Sequence, residues 1–266
     1  HYLFKGQPGG SRFNEFARMW AEAGHEVTVV AGALNYATGQ VPEAYRGHWL
    51  KRQIDGEVTV YRAHVPESYS KSYTGRMWSF FGFTVSATHA ALLAEKPDIV
   101  IATSPPLIVT LPGLAVSLRH RYRVPWIFEV RDLWPESAVT TGVLNANGLL
   151  TKALYEYERR SYQLAHHINV LTPAFREDIV KRGLAPAEKI SFIPNGADEQ
   201  LFKPGRKYND IRKELGWGRK FVVMYAGAHG RANSLGQLVD TARLLKDHKN
   251  ILIACVGDGP ERADLE

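Results

Sequence analysis

Cysteine is nearly absent. Cys255 is the single thiol among 266 residues, so these residues hold no disulfide framework and a reducing compartment is expected. Cys255 lies in an apolar, strand-like run, where the expectation is a small buried hydrophobe rather than a nucleophile. Long hydrophobic runs are missing too. The nearest, residues 99–118, is broken by Ser104-Pro105-Pro106 and Pro112 and reads as strand, turn and helix. Residues 1–7 have neither the apolar centre nor the cleavage pattern of a signal peptide. There is no internal repeat and no low-complexity tract. No histidine pair has convincing metal-ligand spacing; His25 reads as part of a turn and His166-His167 as the opening of a strand. No Ser-His-Asp or Cys-His set is evident. No G-x-G-x-x-G follows a strand and no ribose-binding acid sits at the right distance, which argues against a nicotinamide dehydrogenase.

What is present is ordinary for a globular protein: 45% hydrophobic and 23% charged residues. The net charge of +6 and a pI near 9.3 suit an anionic partner, whether nucleic acid, an acidic membrane face or a phosphorylated substrate, or simply a basic surface. No nucleic-acid motif accompanies the charge, so that partner is not expected.

Short β-rich runs alternate with amphipathic helices, the pattern of parallel sheets with helices on both faces. Helices are predicted over 11–23, 78–94, 107–119, 149–165 and 174–182, and strands over 26–32, 58–65, 98–103, 125–131, 167–172 and 190–194. A second unit follows, with strands at 221–227 and 251–257 around a helix at 234–246. The expected fold class is α/β: residues 1–198 as a doubly wound, parallel-sheet domain without its first strand, and 199–266 as the start of a second Rossmann-like domain. Both ends of the natural protein are expected to lie outside the sequence.

Three stretches carry chemistry. Gly9-Gly10 precedes a helix, where backbone N–H groups and the helix dipole hold phosphate well; the pair also serves as a plain tight turn. In the strand ending at Arg131, Glu129 and Arg131 share one face, so two opposite charges must either pair or face a ligand cleft. Arg131 and Asp132 also stand at the strand's carboxyl end, where open α/β sheets bind ligands. Asn195-Gly196-Ala197-Asp198 reads as a turn with Asp198 available to line a cleft.

Taken together, several segments resemble family-4 glycosyltransferases of the two-Rossmann-domain (GT-B) type, in particular the branch that builds bacterial surface polysaccharides. They are Gly9-Gly10, Ala23-Gly24-His25-Glu26-Val27-Thr28-Val29, Thr103-Ser104-Pro105-Pro106, the run from Phe128 to Ser137, Ile193-Pro194-Asn195-Gly196-Ala197-Asp198, and Val256-Gly257-Asp258-Gly259-Pro260-Glu261. The resemblance implies a retaining transfer from a nucleotide-diphosphate sugar to a lipid-linked glycan acceptor. It implies no metal, no other cofactor and no covalent enzymic nucleophile. Gly9 and Gly10 would meet phosphates or acceptor, and Arg131 and Asp132 the reacting sugars, with Glu129 and Asp198 nearby. Relatives often carry an arginine directly after the Gly227 position and a lysine five residues later; here Ala228 and Asn233 stand there, and Arg231 with His229 are the candidates to meet the diphosphate. The family's acidic donor motif would lie beyond Glu266, so the 266 residues alone are expected to be inactive. Two alternatives remain: a nucleotide-sugar epimerase of the same fold, which would turn over donor without acceptor, and a non-catalytic acceptor- or membrane-binding module.

Tyr69, Lys71, Tyr73, Arg76, Trp78, Phe80, Phe81 and Phe83 mix aromatics and cations at a helix entrance. Such a surface suits an anionic membrane interface and a lipid-linked acceptor, with the protein cytoplasmic and peripheral on the inner face of the plasma membrane. Helical spacing predicts Trp78, Phe81 and Val85 as the core stripe and leaves Phe80 and Phe83 as the membrane-facing pair.

Overall fold

A computed structural model describes residues 2–5, 7, 11–35, 38–68, 73–197, 199, 202–230, 233–259 and 261–266, without the side chain of Tyr73. The chain divides into His1–Gly196 and Ala197–Glu266.

The first unit opens with helix α1 (Arg12–Glu22). Gly24, at φ +89°, ends it: its N–H donates to the Ala21 carbonyl and that of His25 to the Trp20 carbonyl. These two bonds are the paired closure that a left-handed residue permits, and they explain the Ala23-Gly24-His25 segment. Strand β1 (Thr28–Gly32) follows, then β2 (Leu50–Asp55) and β3 (Val58–Ala63). β3 pairs parallel with β1 and antiparallel with β2. The antiparallel β2 departs from the expected all-parallel pattern; its sequence signal is the Asp55-Gly56 hairpin turn. α1 lays Ala17 and Ala21 against Ala31, Val58 and Val60.

Next come α2 (Tyr73–Leu93), β4 (Val100–Ser104), α3 (Leu111–Arg119), β5 (Trp126–Val130), the short α4 (Glu136–Thr140), α5 (Leu149–Leu164), β6 (His167–Val170), α6 (Pro173–Lys181) and β7 (Ile190–Phe192). β4-β5-β6-β7 form one parallel sheet in that order. Side chains alternate across β5. Trp126, Phe128 and Val130 are buried in the main core with Ile168, Val170, Tyr162 and Ile179, and the Trp126–Phe128 and Phe128–Tyr162 rings stack at 5.9 and 5.3 Å. α3 comes in so closely that a Cβ on Gly113 would stand 2.8 Å from the Ala102 Cβ. Glu129 is left on the opposite face.

Behind this core Glu158 is fully buried and receives Arg182, Nη2 to Oε2 2.5 Å. Burial raises the Glu158 carboxyl pKa, and the bond and charge of Arg182 oppose the rise. A carboxyl with a raised folded pKa contributes stability that is full below its ordinary value and is lost as pH climbs through the folded value. Glu158→Gln is therefore expected to flatten the pH dependence of thermal stability just above the ordinary carboxylate range. An unchanged slope would contradict that assignment.

α2 corrects the expected core stripe. Ser79, Thr84, Ser86, Ala87 and Ala90 are the buried residues, and Phe83 packs on Leu34, Val41 and Val65, whereas Trp78, Phe81 and Val85 are exposed. The reason is closeness of approach: a Cβ on Gly82 would lie 2.6 Å from the Pro66 ring, so where the helix crosses this segment it faces inward through small residues, with Phe83 filling the space beside them.

The second unit holds α7 (Asp210–Glu214), β8 (Phe221–Ala226), α8 (Gly236–Leu244), β9 (Ile251–Val256) and α9 (Arg262–Leu265). β8 and β9 pair parallel through the α8 crossover. Cys255 is exposed, contrary to the expected burial, because this end of β9 borders a cavity that the side chains of α8 and α9 line without filling.

Candidate functional site

Helix α1 meets strands β4 to β7 of the first unit at the strands' carboxyl ends. Arg12 stands in the first turn of α1. One guanidinium nitrogen lies 2.8 Å from Oε1 of Glu129, at the end of β5, and another donates to Oδ1 of Asn195, after β7, at 2.5 Å. The guanidinium also lies over the Phe16 ring at 4.8 Å. Only 14% of the Arg12 side chain and 5% of the Glu129 side chain are exposed, so each charge depends on the other for its burial. Sheet register places Thr103 and Asn169 on either side of Glu129. The Thr103 hydroxyl, Glu129 Oε2 and Asn169 Oδ1 are buried with no hydrogen-bond partner among the described residues. A row of unsatisfied polar atoms across one sheet face is costly unless water or a ligand fills it.

Arg131 and Asp132 continue β5 beyond this row. Arg131 is exposed, its guanidinium over the Phe13 ring at 5.8 Å. Glu129 is paired with Arg12, which leaves the Arg131 charge on the open side of the strand end. Asp132 is half-buried and fixed by a hydrogen bond from the Ser137 hydroxyl, 2.9 Å. A cation and a carboxylate thus stand side by side on rigid supports, able to meet opposite parts of a polar substrate.

Residues 2–4 are held by Arg62 of β3. This buried side chain donates to the Tyr2 and Leu3 carbonyls at 2.6 and 2.8 Å and stacks on Phe4 at 4.1 Å. Gly9 and Gly10, Asp198 and Arg231 lie outside the described residues, as do Tyr69 and Lys71.

In the second unit the loops after β8 and β9 are pressed together. Gly257 has φ +149°, and a Cβ there would stand 1.9 Å from the Gly227 carbonyl oxygen. The His229 N–H donates to the Asp258 carbonyl at 2.9 Å and the Glu261 N–H to the His229 carbonyl at 3.0 Å. His229 is 6% exposed, with no hydrogen-bond partner for either ring nitrogen among the described residues. It lines a cavity of about 230 Å³ with Cys255, Gly257 and Arg262. Asn233 does not replace the lysine of relatives: its amide closes the loop on the Ala228 carbonyl, 2.7 Å. Gly257→Ala is expected to cost about 2 kcal/mol or more through overpacking. The check is faster amide exchange in β8 and β9; unaltered exchange would mean that the loops have room.

Arg12 and Asn195 were not among the expected site residues. The signal for Arg12 is its place, since a cation in the first turn of a helix opposes the helix dipole and calls for a compensating anion.

The profile of the glycosyl transferase 4-like domain matches residues 9–196. The probable glycosyltransferase WbjE of Pseudomonas aeruginosa is 25% identical over 187 residues, 69% of this chain and 44% of that protein. The sulfoquinovosyl transferase SQD2 of Arabidopsis thaliana is 25% identical over 258 residues, 96% of this chain and 45% of that protein. The chain thus spans less than half the length of these curated relatives. Among solved structures, Anabaena HepE in complex with UDP and glucose superposes with a TM-score of 0.57 at 15% identity, covering 90% of this chain and 63% of that one. Its complex with UDP-glucose gives 0.53 at 13% identity, with 95% and 67% covered. Parallel sheets, strand-end charges and a domain match through most of the first unit lead to one assignment: the chain belongs to the glycosyl transferase 4-like family and has the GT-B type of fold.

Proposed function

We propose that this chain serves a retaining glycosyltransferase that moves a sugar from a nucleotide-diphosphate donor to a lipid-linked glycan acceptor in surface-polysaccharide synthesis. The observation that carries the reading is the pair Arg131–Asp132 at the end of β5, the arginine exposed and the aspartate braced by Ser137, beside the Arg12–Glu129–Asn195 bracket, in a chain of this family. WbjE and SQD2 are named as sugar transferases, and HepE binds UDP and glucose, which supports a nucleotide sugar as donor. Lipid-linkage of the acceptor and the bacterial pathway rest on the family resemblance and on the basic charge of the chain.

In this reading Arg131 stabilises negative charge that develops as the donor bond breaks, and Asp132 orients a sugar hydroxyl. Gly9 and Gly10 offer backbone N–H groups to phosphate or acceptor, and Asp198 takes a polar contact. His229 and Arg231 meet the donor diphosphate; the unpartnered His229 ring in a loop cradle supports that role. The reaction asks for no metal or other cofactor. No helix among the described residues is long and apolar enough to cross a membrane, and the proposed location is the cytoplasmic face of the plasma membrane.

The test is incubation of the intact enzyme with isotope-labelled nucleotide sugars and a lipid-linked acceptor, followed by NMR of the new linkage. A retained anomeric configuration is expected. An inverted linkage would overturn the mechanism, and donor conversion without acceptor would favour epimerase chemistry.

A further inference from the structure

α2 has an unusual composition for an exposed helix. Its 21 residues include one charged side chain, Arg76, and no acidic residue occurs between Glu67 and Glu95. Trp78, Phe81 and Val85 stand 60%, 55% and 46% exposed along one face, with the Trp78 and Phe81 rings stacked at 5.7 Å. One turn on, His89 accepts the indole N–H of Trp49 at 3.0 Å, and Trp49, itself 46% exposed, extends the patch. The helix cannot roll to bury these rings. Its inner face is fixed by Gly82 against Pro66 and by the Ser79 and Ser86 hydroxyls, which donate to the Pro66 and His64 carbonyls at 2.7 Å each.

We infer that the Trp78–Phe81–Val85 face of α2, with Trp49 beside it, docks on an anionic phospholipid surface. Tryptophan and phenylalanine settle at the depth of lipid headgroups, and an interfacial helix pairs such rings with cations. The charge pattern selects lipid over a protein partner: Lys71 and Arg76 are the charges of residues 68–94, so nothing there repels an anionic headgroup. The helix is not apolar enough to span a bilayer, which suits a helix lying flat. This places the lipid contact on residues assigned to the core from spacing, and away from Phe83, which packs inward. The inference shares with the proposed function its choice of a membrane and depends on no catalytic step.

The experiment is co-sedimentation of the full chain with phosphatidylglycerol-containing vesicles and with pure phosphatidylcholine vesicles, free of glycolipid and nucleotide sugar. Failure of the transferase reading would leave the result untouched. Wild type is expected to sediment with the anionic vesicles, and Trp78→Ser/Phe81→Ser to lose roughly tenfold or more of that binding with its melting temperature kept. Equal binding by the variant overturns the inference, and so does wild type that ignores anionic vesicles. A wild-type dimer that the double variant dissolves, with no vesicle binding, would assign the face to a second copy instead. Should the variant melt early, quenching of wild-type tryptophan emission by brominated phospholipid decides: strong quenching is expected, and none would overturn the inference.

Discussion

Arg131→Ala in the intact enzyme is expected to lower turnover by roughly 100-fold or more, the usual loss when one preorganised group facing developing charge is removed. The melting temperature should barely move. Arg131 is exposed and rests over the Phe13 ring at 5.8 Å, a contact worth about 0.5–1 kcal/mol at an exposed site. Glu129 does not lose a partner, because Arg12 holds it. Large loss of rate with little loss of stability is the signature of a residue that meets substrate. Arg131→Lys separates charge from shape: partial recovery would point to charge alone, and none to the planar fork of the guanidinium. Normal turnover in Arg131→Ala would remove this residue from the site.

Glu129→Ala should behave in the opposite way, because its damage begins with folding. Removal of Glu129 leaves the Arg12 guanidinium buried without its anion, and breaking one side of a buried pair costs roughly 3–5 kcal/mol. Asn195 continues to accept one bond, which keeps the loss at the lower end of that range. Arg12→Met/Glu129→Leu is expected to recover most of the stability, since two apolar side chains of similar volume need no partner. The same double variant should remain poor in turnover, with the bracket between the first turn of α1 and the segment after β7 gone. Urea melts of the two variants give the answer. Equal destabilisation by the single and the double change would show that the site depends on side-chain shape rather than on charge compensation.

These two variants also show where sequence reading ends. The alternation along β5 was legible, and it placed Glu129 and Arg131 on the face opposite Trp126 and Phe128. It could not supply the partner of Glu129. Arg12 comes from the far end of the unit, and such a pairing depends on how α1 sits across the strand ends. The close of α1 at Gly24 was readable because a left-handed closure is a local event governed by glycine. The β2–β3 hairpin has a local signal as well, Asp55-Gly56, which the expected all-parallel pattern passes over.

α2 failed for a different reason. Its sequence carries two helical stripes, the large residues Trp78, Phe81 and Val85 and the smaller set containing Ser79, Ser86 and Ala90. Hydrophobicity favours the first as the inner face. The distance between helix and neighbour favours the second, and that distance is set by Pro66 against Gly82, a long-range contact without local signature. The exposure of Cys255 escapes the sequence for a similar reason, because a β-rich apolar run does not disclose which of its ends is covered.

The central claim, that a nucleotide sugar is the donor and a glycan the acceptor, is tested most directly by release of nucleoside diphosphate from the nucleotide sugar with and without lipid-linked acceptor. The account predicts release that depends on acceptor, equals the amount of glycosylated product and disappears in Arg131→Ala. Release that ignores the acceptor, or glycosylated product that forms as fast with Arg131→Ala, would contradict it.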